Sequence, residues 1–210
     1  MARMEDIPEL YCQPYDPKIP SVCMDGQSRQ PIGETGRGIP AGHGKPERTD
    51  YEYERNGTAN IFMFTEPPGG QRYVSVTERR TSSDWAVAIK ELADVRYPEA
   101  DMIRPVCDNL NTHKIGSLYE IFPPEQAGRI AKRPEIHHTP EHGSRLNIAE
   151  IELSALTTQC LDRRIPDIET LRNETGTWER IRNGQQKSVD WQFTTEDARI
   201  KLRRLYPVFK

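Results

Sequence analysis

The periodicity of the chain changes character between residues 51 and 82, and this switch constrains the fold more than any other feature. Tyr51-Glu-Tyr-Glu-Arg55 alternates, Asn56-Gly57 is a tight-turn pair, and Asn60-Ile-Phe-Met-Phe-Thr65 resumes an extended run. Pro67-Pro-Gly-Gly70 marks a second turn and Arg72-Tyr-Val-Ser-Val-Thr77 a third strand. Residues 51–77 therefore read as a meander of three antiparallel strands. After Ser82 or Ser83, either of which can cap a helix, Trp85, Ala88, Ile89, Leu92 and Val95 recur at helical spacing until Tyr97-Pro98. A strand from Met102 to Cys107 closes on Asp108, residues 117–133 read as helical around Pro123-Pro124, and Ile136-His-His-Thr139 is a short strand. Leu146, Ala149, Leu153, Leu156 and Cys160 share one helical face. Residues 167–183, with Leu171, Trp178 and Ile181, and residues 195–206 make two further helices. Upstream, the short apolar run Ile19 to Met24 closes on Asp25. Strands first, then strands alternating with helices, imply an α/β chain with a mixed sheet and helices packed on it.

Composition narrows the function classes. Only 35% of the 210 residues are hydrophobic, and no run approaches the roughly 18 apolar residues of a spanning helix, so no membrane span is expected. The net charge of −3 is not that of a dedicated nucleic-acid binder, which is usually basic. Basic residues do collect at the end of the chain, where Arg199, Lys201, Arg203, Arg204 and Lys210 meet no acid after Asp197. Cys12, Cys23, Cys107 and Cys160 form no C-x-x-C pair and have no histidine at zinc-ligand spacing. With no apolar signal region at the start, this describes a reduced, cytoplasmic protein. Residues 1–18, polar and Pro-rich, read as an arm or linker. Residues 26–50, with six glycines, read as a long loop, residues 19–185 as the globular domain, and 186–210 as a basic helical tail.

The chemistry centres on the two strands that end in aspartate. In α/β sheets ligands bind off the carboxyl ends of strands. If the strands are parallel neighbours, Asp25 and Asp108 meet at one edge, each raises the pKa of the other, and a divalent cation relieves the repulsion. Oxygen-only ligands favour Mg²⁺ or Mn²⁺. Taken singly, each aspartate serves equally well as a turn cap. A third acid lies on the helix with the Leu146/Leu153/Leu156 face, where Glu150 and Glu152 both flank the apolar stripe and periodicity does not choose between them.

Asp108-Asn-Leu-Asn-Thr-His113 strongly resembles the second-aspartate motif of DDE transposases of the mariner-like superfamily, in its bacterial insertion-sequence branch. His142-Gly-Ser-Arg-Leu-Asn-Ile-Ala-Glu150 is similar to the third-acid motif, in which the spacing from Leu-Asn names Glu150, and Val22-Cys-Met-Asp25 is similar to the first. The stretches Glu47–Asn60, Cys160–Ile165 and Asp190–Arg199 resemble the same branch. The resemblance runs from about residue 5 to residue 207 and implies an RNase H-like fold with helices on both faces of the sheet. It implies Mg-dependent DNA strand cleavage and strand transfer with two Mg²⁺ ions per site, Mn²⁺ substituting. Asp25 would bridge both ions, and Asp108 and Glu150 would each complete one site. The partners it implies are DNA (transposon ends and target) and a second copy of the chain in a homodimer, associated with the nucleoid. Asn109, Asn111, His113, Arg145 and Asn147 are the expected DNA contacts. Three positions depart from the family pattern. Gly26 stands where an acid is usual, Arg145 where Trp is usual, and Arg29-Gln30-Pro31 replaces Lys-Gln-Leu. The helix-turn-helix region that reads transposon ends in full-length relatives has no counterpart in the 210 residues. The alternative is an inactive remnant that only dimerises or associates with DNA.

Other chemistries fit poorly. A phosphate loop at Gly36–Lys45 fails because Ile39 and Pro46 stand where Gly and Ser or Thr are required. An aspartyl-phosphatase reading of Asp25 fails on Gln27. His113, His137, His138 and His142 have no standard zinc spacing, there is no Gly-x-Ser-x-Gly, and Trp178 and Trp191 read as core residues.

Overall fold

The strand Ala59–Glu66 is buried along its whole length and organises the molecule. The computed structural model describes residues 2–35, 42–45, 52–109, 114–140, 146–201 and 203. In chain order these form α1 (Ala2–Tyr11), β1 (Ser21–Arg29), β2 (Ile32–Glu34), β3 (Tyr53–Arg55), β4 (Ala59–Glu66), β5 (Gln71–Thr77), α2 (Ser82–Glu91) and β6 (Arg104–Cys107). Then follow α3 (Ser117–Ile121), α4 (Pro124–Ala131), β7 (His137–His138), α5 (Ile148–Leu156), α6 (Ile168–Gly184) and α7 (Thr195–Lys201). Helices α2 and α5 each run on into a π-helical turn, at Leu92–Arg96 and Thr157–Leu161.

The main sheet has the order β5–β4–β1–β6–β7. β4 is antiparallel to both β5 and β1, whereas β6 lies parallel to β1 and β7 parallel to β6. Alternation along each strand feeds two separate cores. Cys23, Ile61, Met63 and Val106 face Ile7 and Leu10 of α1, Ile148, Leu153 and Leu156 of α5, and Leu171 and Trp178 of α6. Val22, Met24, Phe62, Phe64 and Cys107 face Trp85 and Ile89 of α2, Leu118 of α3 and Ile130 of α4. The continuous run Ile61–Phe64 follows from burial on both faces. The mixed sheet with helices packed on it is the architecture that the periodicity implies, and its helices on both faces are what the resemblance implies.

Several local expectations are corrected. Tyr53–Arg55, the strand within the expected Tyr51–Arg55 stretch, does not join the meander. β3 pairs with β2 in a separate two-stranded sheet, with Gly33 opposite Glu54, and the antiparallel trio is β1–β4–β5. All three β3 residues are exposed, so no apolar face pulls them onto the main sheet, and Asn56 turns away to bond Pro31 and Pro166 carbonyls. β1 does not stop at Asp25. It continues to Arg29 because β4 is long enough to pair with it as far as Ala59, so the expected loop begins later and much of the remainder lies outside the described residues.

The expected N-terminal arm is helix α1, docked in the core through Ile7, Leu10 and Tyr11. The Tyr11 hydroxyl joins Cys23 Sγ at 2.8 Å and the Leu146 carbonyl at 2.9 Å. Three apolar residues within two turns are too few to mark a helix by period. The described part of the C-terminal segment is likewise no free tail. Val189, Trp191 and Phe193 pack on the core, and Arg199 of α7 forms an ion pair with Glu5 of α1 at 2.8 Å. Thr81, not Ser82 or Ser83, caps α2, in a reciprocal capping box with Asp84. The π-helical turn that follows rotates Val95 out to solvent at 63% exposure, and Ile181 is 61% exposed on α6.

Candidate active site

Strand register brings two of the acids together. The last pair of the β1–β6 ladder is Cys23 with Val106, and both side chains face α5. Two residues further along each chain come Asp25, which parity puts on that same face, and Asp108, just past the end of β6. Neighbouring strands lie about 4.8 Å apart. Asp25 is inside β1, held by its antiparallel pairing with Met63, whereas Asp108 is the first residue beyond β6.

Helix α5 brings Glu150. Asn147 is the N-cap, its side-chain oxygen accepting from the Ala149 N–H at 3.2 Å, and its amide donates to the Met24 carbonyl at 2.9 Å. One side chain thus starts the helix and pins it to the residue before Asp25. Glu150 then falls in the first turn, where a carboxylate is favoured by the unsatisfied N–H groups. Asp25, Gly26 and Gln27 line an open cleft of about 460 Å³ with Glu150, Ser154 and Thr157. Thr157 donates to Gln27 Oε1 at 3.3 Å across it. Glu152, the competing acid, faces the other way. It is 3% exposed and lies between Arg72 at 2.8 Å and Arg182 at 3.2 Å. Geometry therefore distinguishes the two glutamates where periodicity did not.

The field in the cleft is strongly negative. Burial, together with the charges of Asp108 and Glu150, pushes the Asp25 carboxyl up to about 6. The Gly26 N–H at 2.7 Å and the Arg80 guanidinium act against this. Among the described residues no three His, Cys, Asp or Glu side chains cluster tightly enough to enclose an ion between them. The donors here are nonetheless carboxylates, Asp25 feeling the charges of Asp108 and Glu150, which is hard-oxygen chemistry suited to Mg²⁺ or Mn²⁺. Cys107 takes no part: burial and the charges of Asp108 and Asp25 push its thiol up to about 12.

The expected DNA contacts separate. Asn109 is exposed beside Asp108, Asn147 is 2% exposed with its amide occupied inside the protein, and Asn111, His113 and Arg145 lie outside the described residues. His137 Nδ1 meets Asp6 at 2.8 Å and His138 lies by Cys107, so neither joins the acids. Sequence reading missed Gln27, Ser154, Thr157 and Arg80. Ser154 and Thr157 stand four and seven residues after Glu150, a helical spacing that marks one face; Arg80, in a strand-to-helix link, carries no such signal.

A family model described as DDE superfamily endonuclease matches residues 20–172. The chain belongs to this family. Among solved structures, the DDE domain is similar to the Mos1 strand transfer complex, with a TM-score of 0.56 and 10% identity over 86% of this chain. It is also similar to the Mos1 mariner paired end complex with Mn, with a TM-score of 0.55 and 14% identity over 100% of this chain. The chain spans 53% and 63% of those two chains. No curated protein matches it in sequence. These similarities show an RNase H-like fold shared with the Mos1 structures. No helix among the described residues is long and apolar enough to cross a membrane.

Proposed function

We propose that this chain is a DDE transposase domain that cleaves DNA strands and transfers the freed ends, with Asp25, Asp108 and Glu150 as its metal-binding acids. The observation that supports the reading is the juxtaposition of Asp25 in β1, Asp108 directly after the parallel neighbour β6, and Glu150 in the first turn of a helix pinned to Met24. A divalent pair, Mg²⁺ or Mn²⁺, would supply Lewis acidity, activating water or a 3′-hydroxyl and stabilising the leaving oxygen. The chain's own contribution is to hold Asp25 and Glu150 on the wall of an open cleft, with the charge of Asp108 felt at Asp25. Asn109, exposed beside Asp108, is a DNA contact in this reading, and Asn111, His113 and Arg145 are proposed with it on their sequence motifs. The partners are transposon ends and target DNA, bound by a homodimer.

The deciding experiment is a Mn²⁺ titration by calorimetry on the wild type and Asp108→Asn, followed by nicking of supercoiled DNA in Mg²⁺. Binding abolished by the substitution, and nicking by the wild type only, are expected. No binding at millimolar metal by a folded wild type would overturn the nuclease reading and leave the inactive remnant.

A further inference from the structure

Arg80 lies in the short link between β5 and α2, fixed at its C-terminal side by the Thr81–Asp84 capping box. Its side chain reaches back across the sheet to β1, where Nη1 donates to the Gly26 carbonyl at 2.8 Å. The guanidinium occupies the space above residue 26. A Cβ built on Gly26 would meet Nη1 at 3.3 Å and Cζ and Nε at 3.4 Å. The glycine thus seats the guanidinium against the backbone of the residue after Asp25, and Asp25 feels its charge. Among the described residues Arg80 has no carboxylate within ion-pair distance, and the Gly26 carbonyl is its one hydrogen-bond acceptor. A guanidinium carries five N–H donors in a rigid fork that matches phosphate oxygens. Here most of that fork is uncommitted at the margin of a cleft whose other charges are negative.

We propose that Arg80, seated on Gly26, contacts a phosphate of the DNA strand entering the cleft and so positions the phosphodiester over Asp25; this rests on the DNA-cleaving reading above. A DNA strand brings negative charge to a site that already holds three carboxylates. A cation committed to the strand, and not to an acid, offsets the repulsion where the two meet.

The test compares the full chain with Arg80→Ala and Arg80→Lys in three measurements: Mn²⁺ calorimetry, affinity for a short duplex as a function of salt, and single-turnover nicking in Mg²⁺. For Arg80→Ala the expected results are unweakened Mn²⁺ binding, a salt slope smaller by about one phosphate contact, and nicking slower by about 10²-fold. Lys keeps the charge and loses the fork, so it should fall between. Nicking and salt slope unchanged in a folded Arg80→Ala would overturn the assignment. So would slow nicking with an unchanged slope, or Mn²⁺ binding lost along with activity, because Arg80 would then act on the acids. A wild type that neither binds nor nicks DNA overturns the nuclease reading as well, whereas an active wild type matched by Arg80→Ala overturns only this proposal.

Discussion

Asn147→Ala is the sharpest test of how the third acid is held. The substitution removes the N-cap of α5, worth about 1 kcal/mol. It also takes the buried donor from the Met24 carbonyl, which costs about 1–3 kcal/mol when a polar group is left unmatched. Together these give a loss of about 2–4 kcal/mol. For a chain of this length that corresponds to a fall in melting temperature of about 5–15 °C. Asn147→Asp separates the two contributions. It retains a capping oxygen but lacks the donor, and it sets a carboxylate against a carbonyl beside Asp25, so it should be at least as damaging although Asp caps as well as Asn. Urea unfolding measures the loss, with an unchanged slope expected because the surface exposed on unfolding is the same. Mn²⁺ affinity should also fall, since Glu150 sits three residues beyond the cap. A change within about 0.5 kcal/mol, the range of ordinary surface substitutions, would refute the argument. If DNA affinity fell instead, Asn147 would return to the set of DNA contacts that the sequence suggests.

Two further substitutions probe the surrounding charges. Glu152→Gln leaves Arg72 and Arg182 without their shared carboxylate and should destabilise by about 3–5 kcal/mol, as a broken buried ion pair does. Burial raises the Glu152 carboxyl, but the two guanidiniums prevail and hold it below its ordinary 4.5. Its stabilisation is therefore complete above pH 4.5 and drains as pH falls below that, so the gap between wild type and Glu152→Gln should narrow on acidification. Asp25→Asn has the opposite sign. A carboxyl raised from 3.8 to about 6 destabilises the folded state once it ionises, by roughly 1–2 kcal/mol at neutral pH after allowing for its partial exposure. Chelator-treated Asp25→Asn should accordingly unfold at higher urea than the wild type at pH 7 and no differently below pH 3.8. A less stable variant at pH 7 would show that burial and neighbouring charge do not penalise the ionised Asp25 carboxylate.

The sequence was legible where one physical pattern dominates a segment. Ile61–Phe64, Trp85 with Ile89, and Leu153 with Leu156 declare themselves because each strand or helix presents a face that must be buried. Asp25 and Asp108 were legible as strand-end acids, although Asp25 proves to lie inside β1, since strand length depends on what the partner strand offers. Segments set by tertiary context were not legible. Tyr53–Arg55 alternates well enough for the main sheet, but its partner is Ile32–Glu34, a choice no local pattern records. Helix α1 has too few apolar positions to announce itself and becomes a helix by docking. The distinction between Glu150 and Glu152 required Arg72 and Arg182, which are distant in sequence.

That last pair also explains how a face of like charges can be kept folded. Glu150, whose charge Asp25 feels, sits on a helix fastened on both sides of its first turn. Asn147 fastens it before the acid, to β1. Glu152 fastens it two residues after, through Arg72 to β5 and through Arg182 to α6. Arg72 is in turn locked by the β4–β5 turn, since it donates to the Gly70 and Lys187 carbonyls. Gly70 has φ +67°, and a Cβ there would meet the Gln186 and Ser188 backbone at 3.1 Å. Residue 70 must therefore be glycine for the turn to close on the segment after α6. Gly70→Ala should then loosen Glu152 without touching the cleft, lowering stability and Mn²⁺ affinity together. A variant that lost stability but bound Mn²⁺ as tightly as the wild type would show that the Asn147 attachment alone suffices to hold Glu150 in place.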